Sequence, residues 1–252
     1  GANHNEFPFF LMWNRGKRSA GLNMKHPGAR DVFRRLLASA DVVIDNFAPG
    51  VLDRWGIGWD AIHRWNPRVV QLAMSGCGSD GPWRDFVTFA PTIQALSGLT
   101  YLSNPPGEGD VGIGVSLNDH VSGLFGALAL LAALEERRRS GVGQFIDLSQ
   151  LEVGTYLAGP ALVQYLDGGP EAQPIGNADA FEDHVPNDVY ACAEGGWLAV
   201  TARDDGEWQR LCAAIGAVDL AVDAELATGA GRARRRDQVD ARLSRWAAGL
   251  GA

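Results

Sequence analysis

Apolar residues recur at two periods along the chain, and the switching between those periods predicts its elements. Val32, Phe33, Leu36 and Leu37 fall at helical spacing within residues 28–38, with arginines on the other face. Pro27 suits the first position of that helix. Asp41–Asn46 is a short, nearly continuous apolar run, the pattern of a buried parallel strand, and FAPG at Phe47–Gly50 turns the chain behind it. A helix is predicted from about Val51, carrying Arg54, and another over Trp59–Trp65, stopped by Asn66-Pro67. Arg68–Ser75 is the next strand, with the glycine-rich GCGSDGPW after it. Phe89–Gly98 reads as a short helix and Thr100–Gly114 as a Pro/Gly-rich loop. Gly1–Met12 is partly aromatic and carries no clear period, and Ser19–Met24 reads as an extended piece.

The second half keeps the alternation. Ser116–Arg139 is a long apolar helix ending in a basic run, Gln144–Leu148 a strand, and Gln150–Leu166 a second long apolar helix. Gly168–Asn187 is irregular and rich in Gly, Pro and Asp. Near residue 185 the texture changes. Strands at Asp188–Cys192 and Trp197–Thr201 flank a Glu194-Gly195-Gly196 turn, followed by helix Gly206–Ile215 and one more helix over Arg232–Arg236 and Gln238–Trp246. The fold class expected is α/β: an incomplete, parallel Rossmann-like sheet with long linker helices and a smaller α+β domain. The divisions expected are residues 1–115, 116–184 and 185–252. In open parallel sheets ligands gather at the carboxyl ends of strands, here Asn46–Gly50 and Ser75–Trp83.

Composition narrows the function. The 46% hydrophobic content supports a real core, and a net charge of −8 argues against nucleic acid as a partner. Cys77, Cys192 and Cys212 have no CxxC spacing, and read as reduced thiols rather than a disulfide framework or zinc site. The apolar run Leu124–Leu134 is short for a bilayer and no targeting pattern opens the chain, so a soluble, cytoplasmic protein without a membrane partner is expected. The five histidines form no HxxxH or HExxH pattern, so no metal is expected. No GxGxxG follows a strand, and neither GKS/T nor GxSxG occurs.

One carboxylate stands out. Ser116 or Asn118 can cap the long helix, placing Asp119 in or beside its first turn, where the dipole favours the ionised form by about 0.3–1 kcal/mol. Such a group can be a nucleophile toward an activated acyl carbon; it can equally be a first-turn acid with only a capping role. Gly123 and Gly126 suit close helix packing or approach by a ligand. His120, next to Asp119, points away along the helix and reads as a surface imidazole. Arg15, Lys17, Arg18, Lys25 and Arg54 suit either phosphate binding or a solvated charged face.

Taken together, several motifs resemble one family. They are NRGKRS at Asn14–Ser19, DNFAPGVLDRWGI at Asp45–Ile57, NPRVV at Asn66–Val70, SGCGSDGP at Ser75–Pro82, the D-x-x-S-G opening at Asp119, and RRRSGVGQFIDLS at Arg137–Ser149. VYACAEGGWLAV and GEWQRLCAAIG continue the likeness. Their order along nearly the whole chain resembles the class III CoA-transferases of the carnitine/formyl-CoA type. The resemblance implies that Asp119 attacks an acyl-CoA thioester, giving an aspartyl-acyl anhydride, then an aspartyl-CoA thioester from which an acceptor carboxylate collects CoA. It places coenzyme A against Leu22, Asn23, Met24, Lys25, Asn46, Phe47, Ala48 and Arg54, and makes Arg18 part of a cationic cradle. It also implies a homodimer, or pairing with a second chain of the same type.

The family's first β-α-β unit and its carboxyl-terminal return to the large domain have no counterpart, so a chain truncated at both ends is expected. Its glycine-rich lid is matched only by Ile175–Asp179, and Ala90 and Pro91 replace assisting residues of the formyl-CoA branch. Two other functions compete. One is a 2-methylacyl-CoA racemase, which needs a histidine where Phe89 stands. The other is a non-catalytic CoA-binding or partner subunit.

Overall fold

A computed structural model describes residues 6–107, 109, 111–178 and 184–251. Gly1–Asn5 at the start of the aromatic segment, and Asp179 at the end of Ile175–Asp179, lie outside the described residues. In chain order the elements are α1 (Pro8–Trp13), α2 (Ala29–Leu37), β1 (Val42–Asp45), α3 (Val51–Arg54), α4 (Trp59–Trp65), β2 (Val70–Ala73), α5 (Ala90–Leu96) and α6 (Leu99–Leu102). The long α7 (Leu117–Ser140) follows, then β3 (Phe145–Asp147), α8 (Gln150–Leu157), α9 (Gly159–Leu166), β4 (Asn187–Ala191), β5 (Trp197–Thr201), α10 (Asp205–Ala214), α11 (Val218–Ala221), α12 (Gly229–Arg234) and α13 (Arg236–Ala247). The α/β class is as expected. β1, β2 and β3 form a parallel sheet in that order, and β4 and β5 an antiparallel pair.

The chain divides into two compact units. The first is Gly1–Val87 with Val121–Gln150; the second is Thr88–His120 with Leu151–Ala252. The boundary between them falls within the first turns of α7.

In the first unit, Leu37, Ile62 and Val69 are buried together, with Phe33, Val43, Trp59 and Trp65 packed around them. Asn66, just past α4, donates its amide to the carbonyls of Leu37 and Ala40 at 2.9 and 3.1 Å, satisfying the open end of α2. Strand pairing is in register Val43–Gln71–Phe145 and Asp45–Ala73–Asp147, so these six residues share one face of the sheet. The opposite face carries Leu72, and α7 crosses it. A β-carbon on Gly126 would stand 2.9 Å from Leu72 Cδ2 and 3.0 Å from Met74 Sδ, so the helix seats closely there because it has no side chain. Further along, Arg137 donates to the carbonyls of Asp41 and Arg68, both at 3.2 Å, and pairs with the Asp41 carboxylate at 2.9 Å. The end of α7 is thereby tied to the starts of two strands.

In the second unit, Trp208, Cys212, Leu226, Val239 and Leu243 are buried with Tyr190 under the β4–β5 hairpin. Arg232 is wholly buried there. It donates to the Val185 carbonyl at 2.7 Å, to the Leu226 carbonyl at 3.1 Å and to Asp205 at 3.0 Å, and lies 5.3 Å from the centroid of the Trp208 ring. A buried guanidinium held by partners from three segments is a structural tie.

Several expectations are corrected. Pro27 precedes the cap Gly28 rather than opening α2. The long helix expected over Gln150–Leu166 is two, because Pro160, in the first turn of α9, lacks an N–H and clashes with the preceding turn. Part of the loop expected from Thr100 is helical as α6, and the unassigned amino-terminal residues include α1. Finally, α7 is long and apolar enough by length and composition to cross a membrane, although the shorter run within it suggested otherwise; its Gly126 face packs on the sheet.

Close packing gives a direct test. A β-carbon on Gly143 would fall 1.8 Å from the Val69 carbonyl oxygen, whereas one on Gly123, in the exposed flank of α7, meets nothing within 4 Å. Gly143→Ala should cost about 3 kcal/mol or more of unfolding free energy. Gly123→Ala should stabilise by about 0.8–1 kcal/mol. Denaturant unfolding of the two variants checks both signs.

Candidate active site

The carboxyl ends of β1 and β2 open into a cavity of about 460 Å³, built wholly from the first unit. Its floor is the polar face of the sheet, with Asp45, Gln71, Ala73 and Phe145. The turn Phe47–Gly50 and the short α3 form one wall, since Gly50 at φ +76° lets the chain double back into that helix. Trp59 lies 5.7 Å from Phe145, centroid to centroid, and closes the side. The loop after β2 adds Ser75, Ser79, Arg84 and Asp85. Asp147 accepts from the Ser79 backbone N–H at 2.8 Å and from its hydroxyl at 3.0 Å, which fixes the course of that loop.

Two groups on the floor are unusual. Gln71 is only 3% exposed and donates its amide nitrogen to Asp45 Oδ2 at 3.2 Å, while its Oε1 has no hydrogen-bond partner. Ser75, 4% exposed, likewise has an unpartnered hydroxyl. Burial raises the Asp45 carboxyl above its ordinary range, against the opposing effects of Gln71 and the Phe47 N–H. Buried polar atoms without protein partners cost about 1–3 kcal/mol each. Gln71 and Asp45 were not singled out from the sequence. A polar residue inside RVVQLAMS, on the alternate face of an otherwise apolar strand, is the signal that marks the position.

The expected CoA contacts divide. Phe47, Ala48 and Arg54 line the cavity. Asn46 is exposed beside it and is not part of the lining. Leu22 and Asn23 line a second, smaller cavity of about 290 Å³ with His26, Gly28, Ala29 and Val32. Met24, Lys25 and Arg18 line neither; Lys25 and Arg18 are exposed. Asn23 accepts from the Lys25 backbone N–H at 3.1 Å, which holds this segment in a turn.

Asp119 belongs to the second unit. It is the third residue of α7, after Leu117 and Asn118, and Ser116 immediately precedes the helix. The Ser116 carbonyl accepts the His120 N–H at 3.2 Å, and the Ser116 side chain bonds the Asp119 carboxylate. Neighbouring elements hold the turn. Gln94 of α5 donates to the Val115 carbonyl at 3.0 Å, and Gly154 of α8 permits close approach, since a β-carbon there would meet Ser97 at 2.7 Å and Asn118 Oδ1 at 2.8 Å. The Asp119 residue is exposed, yet partial desolvation is the larger influence and raises its carboxyl above the usual range; His120 and the Ser116 hydrogen bond oppose it. Phe89, Ala90 and Pro91 sit at the start of α5, with Phe89 76% exposed.

Comparison with known proteins agrees with the order of motifs. The CoA-transferase family III model matches residues 1–252. The chain is 32% identical over 232 residues to succinyl-CoA–D-citramalate CoA-transferase of Chloroflexus aurantiacus, covering 92% of this chain and 57% of that protein. It is 34% identical over 213 residues to the succinyl-CoA–L-malate CoA-transferase beta subunit of the same organism, covering 84% of this chain and 52% of that one. Among solved structures, a CaiB/BaiF family protein from Brucella suis superposes with a TM-score of 0.82 at 29% identity, over 94% of this chain and 62% of that one. The chain thus spans a little over half the length of these curated relatives, and it belongs to CoA-transferase family III.

Proposed function

We propose that the protein takes part in CoA transfer, with Asp119 as the nucleophile. The observation that carries this reading is an exposed first-turn carboxylate, bonded to Ser116 and near His120, at the position that matches the family's D-x-x-S-G motif. One Asp119 oxygen attacks the thioester carbonyl of an acyl-CoA and the C–S bond breaks, leaving an aspartyl-acyl anhydride and CoA thiolate. The thiolate then attacks the aspartyl carbonyl, which releases the donor acid and forms an aspartyl-CoA thioester. An acceptor carboxylate attacks that thioester, the thiolate leaves again, and its return to the acceptor's acyl carbon yields new acyl-CoA and free Asp119. No proton need be moved at any step. The chain therefore needs an ionised carboxylate and exclusion of water rather than a general base.

The nucleotide end of CoA is assigned to the first-unit cavity, where Arg54 and Arg84 can meet phosphates. The names of the relatives support a dicarboxylic donor or acceptor such as succinate. Pairing with a second chain, identical or of the same type, is part of the proposal. The leucines of α7 support it: Leu124, Leu128 and Leu131 share one helix face and are 71%, 67% and 66% exposed.

The chemistry is checked by trapping. With a suitable acyl-CoA, hydroxylamine should capture an adduct on Asp119, visible by mass spectrometry and absent from Asp119→Ala. Asp119→Glu, displaced by one methylene, should lose about 100-fold or more in turnover. Rapid α-deuterium exchange of a 2-methylacyl-CoA without any acceptor acid would overturn this reading in favour of the racemase.

The pH profile gives a second check. The ionised form attacks, so kcat/KM should fall as pH drops through the Asp119 pKa, which lies above the usual carboxylate range. Ser116→Ala removes a hydrogen bond that favours ionisation, and should move this acid limb to higher pH. An unmoved limb would mean that another group controls it.

A further inference from the structure

We propose that Gln94 is a positioning residue for CoA transfer: by holding the Val115 carbonyl it sets where Ser116 stands, and through Ser116 the direction of the Asp119 carboxylate. This rests on the reading of Asp119 as the nucleophile and adds to it the group that keeps that nucleophile in line. All the residues involved belong to the second unit. The approach to α7 has little rigidity of its own, since it contains Gly112 and Gly114, the latter at φ +63°. Asn104 ties its far end by accepting the Val111 N–H at 2.9 Å. Next to the helix the chain makes two tight turns. The Val115 N–H donates to the Ile113 carbonyl at 2.7 Å, and the Leu117 N–H to the Val115 carbonyl at 2.8 Å.

Gln94 fixes the second of these turns from another element. It lies on α5, only 3% exposed, and its Nε2 donates to the Val115 carbonyl at 3.0 Å. That oxygen therefore accepts twice, once from its own turn and once from α5. The next carbonyl is held as well. Ser116 O accepts the His120 N–H at 3.2 Å and faces Nδ1 of the His120 ring at 2.7 Å, where a carbonyl requires the nitrogen to donate. With the carbonyls of Val115 and Ser116 both fixed, the Ser116 side chain has a set origin from which to bond Asp119. An apolar side chain of similar size would pack on α5 without an amide to satisfy, so the distinct contribution of Gln94 is the direction of one carbonyl. A displacement of about 1 Å at a reacting group can cost about 100-fold in rate. Loss of this tie is therefore felt in the attack by Asp119 and not in the binding of CoA.

The full chain is compared with Gln94→Met, which keeps the length of the side chain and removes its donor, and with Gln94→Glu, which keeps its shape and sets a carboxylate against the carbonyl. The rate of the hydroxylamine-trapped adduct on Asp119 is followed with succinyl-CoA and with acetyl-CoA, and CoA binding is titrated calorimetrically. In both variants the adduct rate should fall about tenfold or more, while the Kd for CoA stays within about twofold. The same substitution is then made in Ser116→Ala. If Gln94 acts through Ser116, Gln94→Met should cost about threefold or less in that background, because coupled residues are not additive. A role confined to stability would lower the unfolding transition and leave the adduct rate of the folded protein unchanged. An undiminished adduct rate in either folded variant overturns the inference, as do equal losses in the two backgrounds. If the wild type forms no adduct with either thioester, the nucleophile reading falls and this inference with it; a wild-type adduct that Gln94→Met forms just as fast defeats the positioning role alone.

Discussion

The close seating of α7 against β2 is the contact on which the first unit depends. A helix of this length with several leucines would ordinarily bury them. Instead Gly126 meets the sheet, with Ser122 and Ala133 also buried along the helix, and Arg137 ties its end to the strands. Small residues let the helix axis approach closely enough for Leu72 and Met74 to fill the space at Gly126. Arg137 then offers its donors to carbonyls at the starts of β1 and β2, groups that would otherwise need water. Helix, strands and the tight passage of Gly143 past Val69 are therefore set together, and a change in one displaces the others.

On the opposite face the sheet does something a purely structural sheet avoids. Asp45 and Gln71 place a carboxylate and an amide among Val43, Ala73 and Phe145, and the carboxyl's raised pKa reflects the cost of that desolvation. A single hydrogen bond between them recovers only part of it, because Gln71 Oε1 is left over. Apolar residues of similar volume would stabilise the sheet more. The cavity beside these groups lies at the carboxyl ends of parallel strands, where ligands of such sheets collect.

Much of the fold was legible in the sequence, for physical reasons that can be named. The strands at Asp41–Asn46 and Arg68–Ser75 were continuous apolar runs bounded by turn residues, and the helices stopped where Asn66-Pro67 and Gly141 required. The break at Gly159-Pro160 was also written in the chain, but the apolar periodicity across it was the stronger pattern and concealed it. Which face of α7 is buried was not legible. The rule that large apolar residues mark the core points to Leu124, Leu128 and Leu131, whereas Gly126 holds the contact. The site was partly legible. Of the residues lining the cavity, Phe47, Ala48 and Arg54 came from motifs, while Gln71 and Asp45 acquire meaning only when strand register puts them on one face. The cationic segment read as a cradle stays exposed at Arg18 and Lys25, because charge clustering in sequence says nothing about where the guanidinium and ammonium groups point.

The two readings of Asp119 do not compete, because a first-turn acid can also be the proposed nucleophile. Its hydrogen bond with Ser116, at the start of α7, constrains where the carboxylate stands. The helix terminus favours the anion by about 0.3–1 kcal/mol, while partial desolvation acts in the opposite direction and prevails. Were it buried and paired with an arginine it would be more stable and chemically inert. In the proposed transfer, the hydrogen bond from Ser116 orients the anion and leaves its other lone pairs open to the acyl carbon of the donor. A stronger cap would hold the helix better and serve the chemistry worse.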